Sequence, residues 1–143
     1  MSVKGLEVIE RSAQQAHEWV NELTERLDWV HHHNGLRLLR TILHQIRDHL
    51  GHDESAQFSA QLPLLIRGMY FEGWVPRRTP VKQRRVADFI AQIEDQVGRM
   101  EEYRGPRDIT TALEFLNSRI SRGEIEDIRR TLPEEIRGLW PAP

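Results

Sequence analysis

The feature that most constrains this chain is an element that it contains twice. Leu62-Pro63-Leu64-Leu65-Ile66-Arg67-Gly68-Met69-Tyr70 returns 70 residues later as Leu132-Pro133-Glu134-Glu135-Ile136-Arg137-Gly138-Leu139-Trp140. Leu, Pro, Ile, Arg and Gly recur at matching places, and Tyr70 is answered by Trp140. A fixed period marks a supersecondary unit used more than once, each copy covering apolar surface that the other leaves open. The register carries through without gaps: Trp19 meets Phe89, Val20 meets Ile90, Leu23 meets Ile93 and Leu27 meets Val97. Gly35 then meets Gly105, Thr41 meets Thr111, Ile46 meets Leu116 and Phe58 meets Ile128. The expectation is one domain, residues 1–143, with internal repeats at about 6–73 and 76–143, neither of which folds by itself.

The apolar spacing within each repeat is helical. Ile9, Ala13, Ala16, Val20, Leu23, Leu27 and Val30 fall in steps of four and three, which keeps one face of a helix apolar. This predicts a first helix that starts near Glu10 or Ser12 and stops at Asn34-Gly35, residues that tolerate positive φ. Leu38, Leu39, Ile42, Leu43, Ile46 and Leu50 predict a second helix from Gly35 to Gly51. Asp53 is placed to cap a shorter helix towards Leu62, and Pro63 suits the first turn of a fourth, reaching about Tyr70. Gly73, Pro76 and Pro80 then interrupt regular structure, which makes this segment the join between repeats. The same helical pattern resumes at Val86 and runs to Gly105-Pro106, followed by helices through Ile109–Ile120, around Ile125 and Ile128, and from Pro133. No stretch alternates in the manner of a strand, so the fold class is all-α with two pseudo-symmetric halves.

At 143 residues the chain is long enough to bury a sizeable core without staples. It has no cysteine, which excludes disulfides, thiolate metal sites and cysteine nucleophiles and fits a reducing compartment. With 20 Lys and Arg against 22 Asp and Glu, its charge gives no general attraction to nucleic acid or to an anionic membrane. No apolar run is long enough to span a bilayer, and the expectation is a cytoplasmic protein.

The repeated Leu-Pro-x-x-Ile-Arg-Gly unit, the Gly73-Trp74-Val75-Pro76 and Thr79-Pro80 that follow it, and the closing Leu139-Trp140 resemble the bacterial family called domain of unknown function 2267. The likeness runs from about Leu36 to Trp140. It implies a compact all-helical domain, and no activity, cofactor or catalytic residue comes with it.

Three groups of residues invite a functional reading. All seven histidines, His17, His31, His32, His33, His44, His49 and His52, lie in the first repeat. Imidazole with neighbouring carboxylates suits zinc, nickel or iron, but three consecutive rings point about 100° apart on a helix. The paired Glu-x-x-His elements of a di-metal bundle are absent too, so no metal site is assigned and an exposed helix end is expected instead. Arg77, Arg78, Lys82, Arg84 and Arg85 crowd the join, where they could meet the phosphates of a polyanion; a solvated loop with some of them paired to acids is the plainer expectation. No helix-turn-helix, zinc finger or RNA-binding aromatic motif accompanies them, which disfavours nucleic acid. Tyr70, Phe71 and Trp74 are the candidates for an apolar patch that meets a protein partner, although the core has a strong claim on them. No phosphate-binding glycine loop, nucleophile elbow or zinc-protease motif occurs, and no catalytic residue or cofactor is assigned. The leading expectation is a non-catalytic bacterial interaction or adaptor domain. Polyanion binding through residues 77–85 and metal binding by the first-repeat histidines are the alternatives.

Overall fold

The computed structural model of the chain describes residues 3–143, and all of the regular structure among them is helical. The order is α1 (Val3–Leu27), α2 (His32–His49), α3 (His52–Ser59), α4 (Leu64–Phe71), a 3-10 turn (Pro76–Arg78), α5 (Val86–Val97), α6 (Pro106–Arg119), α7 (Arg122–Thr131) and α8 (Glu134–Leu139). The three-four spacing becomes one buried cluster: Val20, Leu23 and Leu27 of α1, Leu38, Leu39, Ile42, Leu43 and Ile46 of α2, and Ile109, Leu113, Phe115 and Leu116 of α6 all contribute to it. Burying each such side chain is worth about 1.5–3 kcal/mol, so this shared core is what holds the helices together. α1 packs on α2, α4 and α6, α2 packs on α5 and α6, and α3 touches α7. Trp19 meets Phe115 edge-on at 5.4 Å between ring centres, and the Arg119 guanidinium lies over both rings.

Several helix boundaries differ from those expected, each for a local reason. α1 ends at Leu27, where Asp28 takes φ 58° and Trp29 N–H donates to Thr24 O; Asp is one of the few residues besides Gly and Asn that enters this region readily. Gly35 does not stop a helix. It lies buried inside α2, where a Cβ would come within 2.3 Å of Thr24 Oγ1, so its missing side chain lets α1 and α2 approach. His31, His32 and His33 are exposed as expected but sit at the start of α2, where an imidazolium gains nothing from the helix dipole. α3 is preceded by Gly51, one position before His52, and not by Asp53. Gly105, at φ 126°, precedes α6, and Pro106 occupies its first turn.

The two Leu-Pro elements are built alike. Pro63 and Pro133 take nearly the same backbone angles ahead of α4 and α8. Arg67 donates from Nε to Ser59 O at 2.9 Å and from Nη2 to Ala60 O and Leu62 O, both at 3.3 Å. Arg137 donates to the matching carbonyls of Arg129, Arg130 and Leu132 at 2.7, 3.2 and 3.0 Å. The rigid guanidinium fork thereby ties off carbonyls at the end of α3 and of α7 that have no partner within the helix. Thr41 and Thr111 bond back to Arg37 O and Arg107 O. Between the α1–α2 and α5–α6 connections, the Glu102 carboxylate accepts the N–H groups of Val30 and His31 and the Asn34 amide, while Arg104 donates to Leu27 O.

Candidate functional site

The join between α4 and α5 is irregular in backbone yet fixed in place. Its base is a run of aromatic contacts from the core outwards. Phe58 meets Tyr70 at 5.6 Å, Tyr70 meets Phe71 at 5.0 Å, Phe71 meets Trp74 at 5.2 Å, and Trp74 meets the ring of His52 at 5.7 Å. Tyr70 is fully buried, and its hydroxyl pairs with Ser55 Oγ at 2.7 Å. Burial pushes the Tyr70 hydroxyl well above the usual tyrosine range, with the Ser55 hydrogen bond opposing. The structure therefore places Tyr70 out of reach of a partner, while Phe71 is half-buried against it and Trp74 half-buried against Phe71.

Polar contacts finish the anchoring. Gly73 turns the chain at φ 71°, a conformation costly for other residues. Trp74 Nε1 donates to Thr79 Oγ1, Thr79 Oγ1 donates to Pro76 O, and the His52 ring bonds Pro76 O at 2.7 Å. After the cis Thr79–Pro80 peptide, Val81 N–H donates to Asp48 O at 2.8 Å. The His49 ring bonds Gln45 O at 2.7 Å, meets the Gln83 side chain at 3.2 Å, and lies on Phe89.

On this anchored backbone all five cations of the join are exposed. Arg77 and Arg78 belong to the 3-10 turn, and Lys82, Arg84 and Arg85 to the irregular run before α5. The expected pairing with acids does not occur: among the described residues no salt bridge involves any of the five. Two acids near the join are engaged elsewhere, Asp48 with Arg47 and Glu72 with Arg40. A cleft of about 480 Å³ lies between the run and the start of the last Leu-Pro element, with Lys82, Arg84, His49 and Pro133 in its wall.

A larger polar cleft, of about 720 Å³, separates α2 from α5 and contains His44, Gln45, Arg47, Asp48, Asp88 and Asp95. Its inner groups already have main-chain partners. His44 Nε2 bonds Met69 O at 2.6 Å, Gln45 donates to Phe89 O, and Arg47 donates to Tyr70 O and Glu72 O at 2.9 and 2.7 Å. Burial lowers the His44 ring below the usual histidine value, the Met69 bond opposes, and Arg47 and Arg40 add to the lowering. The ring centres of His31 and His33 come within 5.3 Å of each other, but among the described residues no group of three or more His, Asp or Glu is placed to hold a metal ion. No helix among them is long and apolar enough to cross a membrane.

The family model described as uncharacterized conserved protein (DUF2267) matches residues 16–139. No curated protein matches the chain.

Proposed function

We propose that this chain, which belongs to the DUF2267 family, is a non-catalytic interaction domain that holds an acidic segment of a partner protein on the basic join, Arg77–Arg85. One observation carries the reading: five cations stand in water without acidic partners, on a backbone pinned to the body by Trp74, Val81 and Gln83. A mobile loop would have to be ordered on binding, at a cost of roughly 1–2 kcal/mol per residue, and this segment is already held. Lys82 and Arg84 stand two residues apart in the irregular run that leads into α5. They border a cleft that can take a carboxylate-bearing side chain.

A protein partner is favoured over nucleic acid by two features. The Trp74 ring is packed against Phe71 and His52 and its N–H is bonded to Thr79, which limits its use as a stacking platform for a base. No helix-turn-helix, zinc finger or RNA-binding aromatic motif accompanies the cations either. The non-catalytic part of the reading is supported by His44 Nε2, Arg47 Nη1 and His49 Nδ1, each bonded to a carbonyl of the fold. We further read the chain as two copies of one unit facing each other within one domain. The matched contacts of Arg67 and Arg137 support this, as does the way α1 on α6 mirrors α5 on α2. The same reading takes the domain as bacterial and cytoplasmic, in keeping with a sequence free of cysteine.

Fluorescence anisotropy with a labelled oligoglutamate peptide and, separately, a labelled DNA duplex tests the proposal. Oligoglutamate should bind at low salt and weaken as salt rises, because exposed charges are screened over about 10 Å at 0.1 M. Replacing Arg77, Arg78, Arg84 and Arg85 by Gln should remove that binding and leave the melting temperature unchanged, since no ion pair is lost. Absence of binding by the wild-type protein at low salt would refute the proposal, and preference for the duplex would reassign the segment to nucleic acid.

A further inference from the structure

The apolar stripe of α1 is a strict three-four repeat through Leu6, Ile9, Ala13, Ala16, Val20, Leu23 and Leu27, the spacing of a coiled-coil seam. The core uses only part of it. Val20, Leu23 and Leu27 are buried, whereas Leu6 is 41% and Ile9 65% exposed. The second half has no counterpart of this overhang, since α5 begins at Val86, the position matching Ala16, and the family match also begins at Ala16.

Where the overhang ends, a groove of about 280 Å³ begins between α1, α4 and the first turns of α2. Its apolar wall includes Ala13, Ala16, Val20, Leu36, Leu65 and Met69. Imidazoles of His17 and His33 edge it, and among the described residues no carboxylate lines it. An apolar helix edged by an acid would suit this groove, and the overhang is one: Glu10 flanks the stripe beside Ile9. It cannot enter its own groove, because Ile9 and the groove residues Ala16 and Val20 lie on one continuous helix.

We propose that two copies of this chain pair through antiparallel α1 helices around a two-fold axis beside Ala13, so that each overhang fills the groove of the other. The register follows from the spacing. Leu6 and Val20 lie equally far from Ala13, about 10.5 Å at 1.5 Å per residue, and Ile9 and His17 lie about 6 Å from it. The two-fold therefore sets Leu6 against Val20 and Ile9 against the Ala16–His17 step of the other copy. Ala13 meets its own copy at the axis, where a small side chain permits close approach. Glu10 and His17 are one heptad apart on the same flank of α1. An antiparallel pair sets each flank against its own copy, so the Glu10 carboxylate of one protomer faces the His17 imidazole of the other, and the pair forms twice. This surface is separate from the basic join, and the pairing does not depend on the function proposed for that segment.

The absence of cysteine allows a direct test. In a Glu10→Cys/His17→Cys variant the two thiols of one helix start about 10.5 Å apart, beyond the roughly 4.4–6.8 Å between Cα atoms that a disulfide spans, so any bridge must join two copies. Mild oxidation should give a covalent dimer. A control pair on the outer face, Glu7→Cys/Gln14→Cys, should cross-link far less. Sedimentation velocity of the wild-type protein should show a dimer that dissociates on dilution, and Ile9→Glu should leave only monomer with an unchanged melting temperature. Wild-type protein that stays monomeric at every concentration, a dimer that survives Ile9→Glu, or equal cross-linking of the control pair would overturn the proposal.

Discussion

Replacing Arg47 by Met should destabilise the domain more than any change on the basic join. Arg47 is only 5% exposed, and its guanidinium supplies the partners for Tyr70 O and Glu72 O, the carbonyls that end α4 and lead into the join. Met keeps much of the apolar stem but neither bond. A hydrogen bond from a charged donor contributes about 1.5–3 kcal/mol, so losing two should cost about 3–6 kcal/mol. The Asp48 pair adds less, because that carboxylate remains partly in water. The melting temperature should fall by at least about 6 °C, at roughly 2 °C or more per kcal/mol for a chain of this size. Urea unfolding followed by tryptophan fluorescence reads the change, and trypsin should cut faster after Arg77 and Arg78 once their anchor loosens. Arg47→Lys, which keeps the charge without the fork, should fall between the two. A loss below about 1 kcal/mol for Arg47→Met would refute the claim that this side chain holds the end of α4.

Other expectations are as specific. Gly35→Ala should cost about 1–3 kcal/mol from the close approach of Thr24 Oγ1, offset by up to about 1 kcal/mol of helix preference, and Thr24→Ala should restore part of the loss in a chemical-denaturation cycle. Arg67→Gln and Arg137→Gln should lower stability by similar amounts, since the two side chains bond matching carbonyls, and unequal losses would count against the equivalence of the halves. Hydrogen bonds from Val30 N–H and the Asn34 amide hold the Glu102 carboxyl below the usual glutamate value. Its contribution is therefore complete above that usual value and is lost as the pH falls through the lowered one, and Glu102→Gln should make acid unfolding less steep. The lowered His44 value has the same sign: its contribution is full above the ordinary histidine value and fades as the pH drops below it, so His44→Gln should flatten the stability profile just below neutrality.

The helices and the doubled Leu-Pro element were legible because both are local patterns, and the buried side chains of α1, α2 and α6 follow the spacing that the sequence shows. What depends on neighbours far along the chain was not. Gly35 looks like a helix stop until Thr24 is brought against it, and nothing near Asp28 announces that it will take positive φ. The charge of the join was visible, but its freedom from ion pairs depends on where Asp48 and Glu72 find their partners. Tyr70 counts as a surface aromatic only until Ser55 and Phe58 close over it. The groove beside α1 needs three helices to exist, yet one signal for it was available, since Leu6 extends the Ile9–Ala13–Ala16 stripe by another turn.

The measurement that bears most directly on the basic join as the binding surface is an amide NMR titration of the isotope-labelled domain with oligoglutamate at low salt. The account predicts shifts confined to residues 77–85, the Trp74 indole and the wall of the adjoining cleft at His49 and Thr131, all reversed by added salt. Shifts that instead cluster on the α1 groove or the cleft between α2 and α5, or that persist at high salt, would contradict it.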